Sequence, residues 1–197
     1  LIKIIKSGSS VDSIEKSSGT ILIFDKTPFY AEAGGQIGDS GKLFDSNQNL
    51  VGEISDTKKI GKGIFLHFLK NCKKKIIKNK KYSLEIDKFR RHKIRNNHTA
   101  THLLHESLRQ VVGKHVSQKG SLVNDKKLRF DYTSNEQLSV EKIKKIELLF
   151  NNSIRSNTKI KINKMPVRKA IDSGAIALFG EKYPEIVSVV SIINDEN

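Results

Sequence analysis

The sequence predicts an α+β protein in two parts, a β-rich part over residues 1–87 and a mixed α/β part over residues 88–197. Three observations predict it. Short apolar runs bounded by Gly, Asp and Lys clusters fill the first part, the pattern of strands joined by turns. Past Asp87, apolar residues recur at helical spacing. Alternating and continuous apolar runs then return between the helical segments.

The elements follow in order. Leu1–Ile5 and Gly19–Asp25 read as strands. Gly34, Gly35, Gly38 and Gly41 punctuate the next stretch, and Asp39-Ser40-Gly41 and Asp45-Ser46-Asn47 are turn signals. Val51–Ser55 and Gly63–Leu69 read as further strands. Strands this short at this spacing predict a small barrel or a compact sheet. The run Lys70–Lys81, with Lys73, Lys74, Lys75, Lys78, Lys80 and Lys81 inside it, reads as a solvated loop and edge strand whose lysines blunt the edge. Tyr82–Ile86 closes the part.

Residues 88–112 read as a helix that opens with Arg90, Arg91, His92, Lys93 and Arg95. Leu103, Leu104, Leu108, Val111 and Val112 form its apolar stripe, and Gly113 ends it as a C-terminal glycine. Ser121–Val123 and Leu128–Tyr132 read as strands of a hairpin about Asn124-Asp125. Ser139 is the expected N-cap of a second helix, whose apolar positions are Ile143, Ile146, Leu149 and Phe150. Ile160 and Ile162 alternate with Lys159, Lys161 and Asn163, which predicts a strand. Pro166 precedes a short helix through Ala175, and Ile186–Ile193 is a final apolar strand.

Composition limits the function. The formal charge is +15 over 197 residues, and the pI is about 9.8. That balance favours a polyanionic partner, with nucleic acid ahead of a membrane surface. Lysines far outnumber arginines, a bias that an AT-rich coding sequence would also produce. Cys72 is the sole cysteine, which excludes an internal disulfide and a cysteine-based zinc cage and suits the reducing cytoplasm. No apolar run approaches the roughly 20 residues of a membrane helix, so no membrane association is expected. The chain opens at Leu1 without a signal-peptide pattern, and its one methionine is Met165. The expectation is a fragment or processed product of a longer protein.

The chemistry concentrates in Asn97-His98-Thr99-Ala100-Thr101-His102-Leu103-Leu104-His105. On a helix, His98, Thr101, His102 and His105 fall at i, i+3, i+4 and i+7 and share one face. Two imidazoles one turn apart can grip a metal ion, usually zinc. The competing reading of such a pair is a polar helix edge. His67 and His92 are expected at the surface.

Four segments together resemble the editing region of alanyl-tRNA synthetases. They are the glycine-rich Thr27–Gly41 (Thr-Pro-Phe-Tyr-Ala-Glu-Ala-Gly-Gly-Gln-Ile-Gly-Asp-Ser-Gly), Asn97–His105, His115–Val123 and Ala175–Tyr183. They occur in the family's order and span nearly the whole chain. The resemblance implies a small β-barrel-like first domain and a two-layer α/β editing domain of the type shared by threonyl- and alanyl-tRNA synthetases. It implies hydrolysis of tRNA(Ala) wrongly charged with serine or glycine, with tRNA(Ala) and the rest of a synthetase chain as partners. A pocket for alanine cannot strongly exclude glycine, nor serine, which only adds a hydroxyl, so a second site must remove the errors.

The resemblance also implies roles. His98 and His102 match the two helix ligands of a zinc ion, each a neutral imidazole with its other nitrogen held by an acceptor. Thr101 matches a pocket residue whose size and hydroxyl can separate serine and glycine from alanine. Gln118 and Ser121 match polar pocket residues for the amino or carbonyl group; Gln118 also reads as an exposed strand-edge amide. His105 is expected to pack or support a ligand, and His115 carries no assigned role. Glu32, Gly34 and Gly35 are candidates to face the tRNA end, beside a purely structural reading of their motif, which lacks the Lys-Ser/Thr ending of a nucleotide loop. Arg90, Arg91, Lys93 and Arg95 are candidates for backbone phosphates.

The family completes its zinc site with a Cys and a His from a Cys-Gly-Gly-Thr-His motif expected past Asn197. Cys72 lies in the other half and does not replace them. Weak zinc binding and little activity are therefore expected of these 197 residues alone. Zinc can polarise the ester carbonyl, activate a water or hold the substrate amine, and the sequence leaves these open. Two rivals stand beside editing within a synthetase: a tRNA-binding module without catalysis, and a free-standing editing protein.

Overall fold

The computed structural model describes residues 1–16, 19–61, 63–134, 137–175 and 183–193. These residues form a mixed fold, mostly sheet with few helices. They divide into two compact units. The first holds Leu1–His98 and Ser121–Arg129; the second holds Thr99–Gly120 and the described residues from Phe130 on.

In the first unit, nine strands precede a helix. They are β1 (Lys3–Lys6), β2 (Ser9–Val11), β3 (Ser13–Ile14), β4 (Thr20–Ile23), β5 (Gly41–Phe44), β6 (Leu50–Ile60), β7 (Ile64–Cys72), β8 (Ile76–Ile77) and β9 (Ser83–Ile86). Seven of them pair antiparallel in the order β2-β1-β4-β7-β6-β5-β9. The expected barrel does not form, because β2 and β9 remain the edges of an open sheet. Closure requires the two edge strands to pair along their length. Here one edge has three residues and the other four.

The strands alternate as half-buried strands must. Ile4, Leu22, Leu43 and Ile76 are fully buried, and Phe24, Phe29, Val51, Ile54 and Leu69 complete the same core. Each such side chain contributes about 1.5–3 kcal/mol relative to exposure. Register shifts at Glu53/Ile54 and Ile54/Asp56 bend β6, so that Val51, Ile54 and Thr57 all face inward.

The lysine run carries strand, as expected, and most of its lysines are exposed, but its centre is not loop. Ile76 within it is core, and β8 pairs with β3. The Tyr82 hydroxyl bridges the N–H and carbonyl of Ile77 at 2.9 and 3.3 Å. Lys73, Lys75 and Lys78 pair with Glu53, Glu15 and Asp12. The lysines decorate a fixed segment whose apolar centre is too short to stand out among them.

Helix α1 (Lys88–Val111) follows. Asp87 caps it, its carboxylate accepting from the Arg90 N–H at 2.9 Å. Past its end, Gly113 sits at φ +137° and donates to Arg109. β10 (Gln118–Val123) and β11 (Leu128–Tyr132) form a hairpin. Its loop is four residues rather than two. Asn124 N–H donates to Lys127 O, and the Asn124 side chain accepts from Lys126 and Lys127 N–H.

In the second unit, Leu108, Val116 and Ile146 are buried, with Leu104, Val111, Val112, Phe130, Tyr132 and Leu138 against them. Helix α2 (Val140–Arg155) is capped by the Ser139 hydroxyl, which accepts from Lys142 N–H. Of its predicted core positions only Ile146 is buried, and Ile143 is exposed. β12 (Lys159–Pro166) and β13 (Ile186–Ile193) pair antiparallel as a two-stranded ribbon, with the short helix α3 (Val167–Asp172) between them in sequence. The signature Ala175–Tyr183 lies, over residues 176–182, outside the described residues. Among the described residues, no helix is long and apolar enough to cross a membrane.

His67 is a correction. Alternation along β7 turns it inward with Leu69, and it is fully buried rather than at the surface; His92 is exposed. Its Nδ1 donates to Leu22 O at 3.1 Å, and the Thr27 hydroxyl donates to Nε2 at 2.8 Å. Phe24 and Phe29 meet the ring edge to face at 5.0 and 5.5 Å. Burial holds its pKa below the usual 6.5 and keeps it neutral. The unfolded chain therefore binds this proton more readily than the folded one. Stability is full above pH 6.5 and falls as pH drops from there toward the folded value. Urea unfolding on both sides of this window should show that loss, and His67→Gln should flatten it. An equal pH slope in the two proteins would contradict this account.

Candidate functional site

In the first unit the glycine-rich segment is built around a tight turn. Ala33 and Gln36 exchange backbone hydrogen bonds at 3.1 and 3.0 Å across Gly34 and Gly35. Both glycines are left-handed, at φ +57° and +79°, as a two-residue turn of type I′ demands. Gly35 is required for a second reason. A Cβ there would collide with the side chain and carbonyl of Ser121. Val123 locks the same segment, its N–H donating to Gly35 O and its carbonyl accepting from Ile37 N–H.

Asp39 anchors the segment to α1. Its buried carboxylate takes the Arg91 guanidinium on both oxygens, with Nε to Oδ1 at 2.7 Å, and the Tyr30 N–H at 2.7 Å. Arg90 donates to Gly38 O at 2.9 Å and pairs with Asp125. Two of the arginines proposed for phosphate contact are thus engaged within the fold, whereas Arg95 is exposed. Glu32 is exposed and pairs with Lys58 at 3.4 Å.

This anchoring brings the helix against the turn. Gln36, itself buried, accepts from His98 Nδ1 through its side-chain oxygen at 2.6 Å. Burial depresses the His98 pKa, so its ring favours the neutral form a metal ligand requires. The Asn97 amide donates to Asn124 O at 2.8 Å, and Ser121 Oγ lies 3.4 Å from Gly34 O. The first unit therefore gathers Gly34, Gly35, His98 and Ser121 in one place. Gln36 and Asp39 join them, and neither was singled out from sequence. The signal that marks Gln36 is its position directly after a Gly-Gly turn.

In the second unit, Thr101 is buried and His102 is exposed. His105 is buried, with Nε2 3.3 Å from Val116 O and its ring 4.9 Å from Phe130, which is the packing role expected of it. Gln118 opens β10 and is half-buried; His115 is exposed. One continuous helix carries His98 and His102 four residues apart. Their nitrogen donors suit zinc, and a zinc site needs at least one ligand more. Among the described residues, no group of three or more His, Cys, Asp or Glu side chains is placed to hold a metal.

Removing the anchor should be costly. Asp39→Ala strands a guanidinium that is only a quarter exposed. The expected loss is about 3 kcal/mol, the low end for breaking a buried pair because Arg91 keeps some access to water. Urea unfolding measures it, and a loss below 1 kcal/mol would deny the pair its anchoring role.

Residues 1–90 match the family model of class II tRNA synthetases (A). The match takes in all seven strands of the sheet, the β3–β8 pair, the glycine-rich segment and Arg90 at the start of α1. It supports an aminoacyl-tRNA synthetase, an enzyme of protein biosynthesis, as the kind of protein to which this chain is related, with tRNA as the general kind of partner.

Proposed function

We propose that this chain is the editing part of an alanine-tRNA ligase acting in the cytoplasm, and that it hydrolyses tRNA(Ala) mischarged with serine or glycine. The carrying observation is the imidazole pair on α1, one member of which is held by the glycine-rich segment through Gln36. The four segments resembling that editing region, in the family's order, and the synthetase match over residues 1–90 support the same reading.

In this reading His98 and His102 are two of the ligands of a zinc ion. When bound, zinc supplies Lewis acidity toward the ester carbonyl or a water, or a seat for the substrate amine. The chain's own groups do the rest. Gln118 and Ser121 hold the amino or carbonyl group of the aminoacyl ester. Thr101, small and buried, sets the space and the hydroxyl contact by which serine and glycine are told from alanine. Water attacks the ester carbonyl directly, the acyl–oxygen bond breaks, and the free amino acid and the tRNA 3′-terminal hydroxyl leave. Exposed cations such as Arg95 meet the tRNA backbone.

The test is deacylation of Ser-tRNA(Ala) by the intact protein. His98→Ala and His102→Ala should each bring hydrolysis down to the uncatalysed rate while leaving tRNA binding in place. Full activity in either variant would end the assignment. The charge of +15 favours a second reading, a tRNA-binding module without chemistry. It would be preferred if the intact protein bound tRNA but left the ester untouched.

A further inference from the structure

The turn that presents Gln36 is more heavily constrained than a connection between strands requires. Two left-handed glycines, backbone bonds between Ala33 and Gln36, and a bridge from Gln36 to Val123 all fix the backbone of one residue. Its side chain is buried, with 6% exposure, and ends 2.6 Å from His98 Nδ1. An amide oxygen can only accept, so Nδ1 must carry the ring proton. A neutral imidazole has one N–H, and the lone pair is then on Nε2.

We propose that Gln36 is a positioning residue that locks His98 as the Nδ1–H tautomer and aims its Nε2 lone pair at a metal ion. This rests on the zinc reading above and adds to it a task for the glycine-rich segment: Gly34 and Gly35 exist to hold an acceptor against the ligand's far nitrogen. An acceptor behind a metal-bound histidine is commonly worth 10–100-fold in metal affinity. A mere packing contact would move neither the tautomer nor the affinity.

Nitrogen-15 NMR of the imidazole rings reads the tautomer in metal-free protein, and zinc titration of the intact protein reads affinity. In the wild type, His98 should show a protonated Nδ1 and an unprotonated Nε2. Gln36→Leu should move the proton to Nε2 and weaken zinc binding 10–100-fold. Gln36→Met, unbranched and with only a weakly accepting thioether in place of the amide oxygen, should shift both in the same direction and stands in should the leucine variant not fold. Gln36→Glu keeps an acceptor and should preserve the Nδ1–H form. An Nε2–H tautomer in the wild type, or an unchanged tautomer or affinity in a folded Leu or Met variant, would overturn the role of Gln36. No zinc uptake by the intact wild type would overturn the zinc reading itself, and the metal-free tautomer measurement separates the two failures.

Discussion

A buried carboxylate organises this molecule. Asp39 sits among strands with 2% exposure, and it is tolerable there only because Arg91 and the Tyr30 N–H satisfy it. The pair ties a loop of the sheet to the first turns of a helix 52 positions away. Arg90, one residue earlier, adds a bond to Gly38 O, and Asp87 starts the helix where both arginines can reach. The direction in which α1 leaves the sheet is set by these contacts, and so is the position of every residue in its first three turns.

From that anchor the rest follows by rigid geometry. Ten residues along a helix rise about 15 Å, which carries the chain from Lys88 to the level of His98. The glycine turn meets it there. Had the segment Ala33–Gln36 been one residue longer, Gln36 would face away from the ring, because a hairpin's register decides which side chains point inward. Ser121 packs against Gly35 for the same reason: β10 lies close enough that only a residue without a side chain fits. At Gly35 the glycine-rich motif is thus a fitting for close approach.

Much of this was legible in the sequence where the signal is long and periodic. Helix α1 shows its stripe from Leu103 to Val112 and its stop at Gly113. Helix α2 shows Ser139. The alternation of Ile160 and Ile162 and the run Ile186–Ile193 gave both strands of the ribbon. What stayed hidden depends on partners far apart in the chain. Gln36 and His98 are 62 positions apart, and although His98 and the Gly-Gly turn each stand out, nothing local pairs one with the other. Asp39 reads as a turn residue because the turn is local and its arginine is not. His67 reads as surface because a single polar residue in a short strand is ambiguous until the neighbouring strand supplies Leu22 O, and the segment after it Thr27, as partners. Ile76 is lost among lysines because two residues cannot display a period. The barrel expectation failed for the same reason: closure depends on how the edge strands end.

The ribbon of β12 and β13 carries a different consequence. Ile160 and Ile162 stand opposite Ile192 and Val190 on one face, and Ile186 lies beyond them opposite Pro166. Ile160, Ile162, Ile186 and Val190 are all about half exposed or more. Apolar surface of this kind draws copies of a protein together. The charge of +15 opposes that attraction by mutual repulsion over a screening distance of about 8 Å at physiological ionic strength. The colloidal state of the protein is therefore a balance between a sticky ribbon and a long-range field. Salt weakens the field without touching the ribbon, and so does any polyanion that neutralises the lysines, unless it also covers that face.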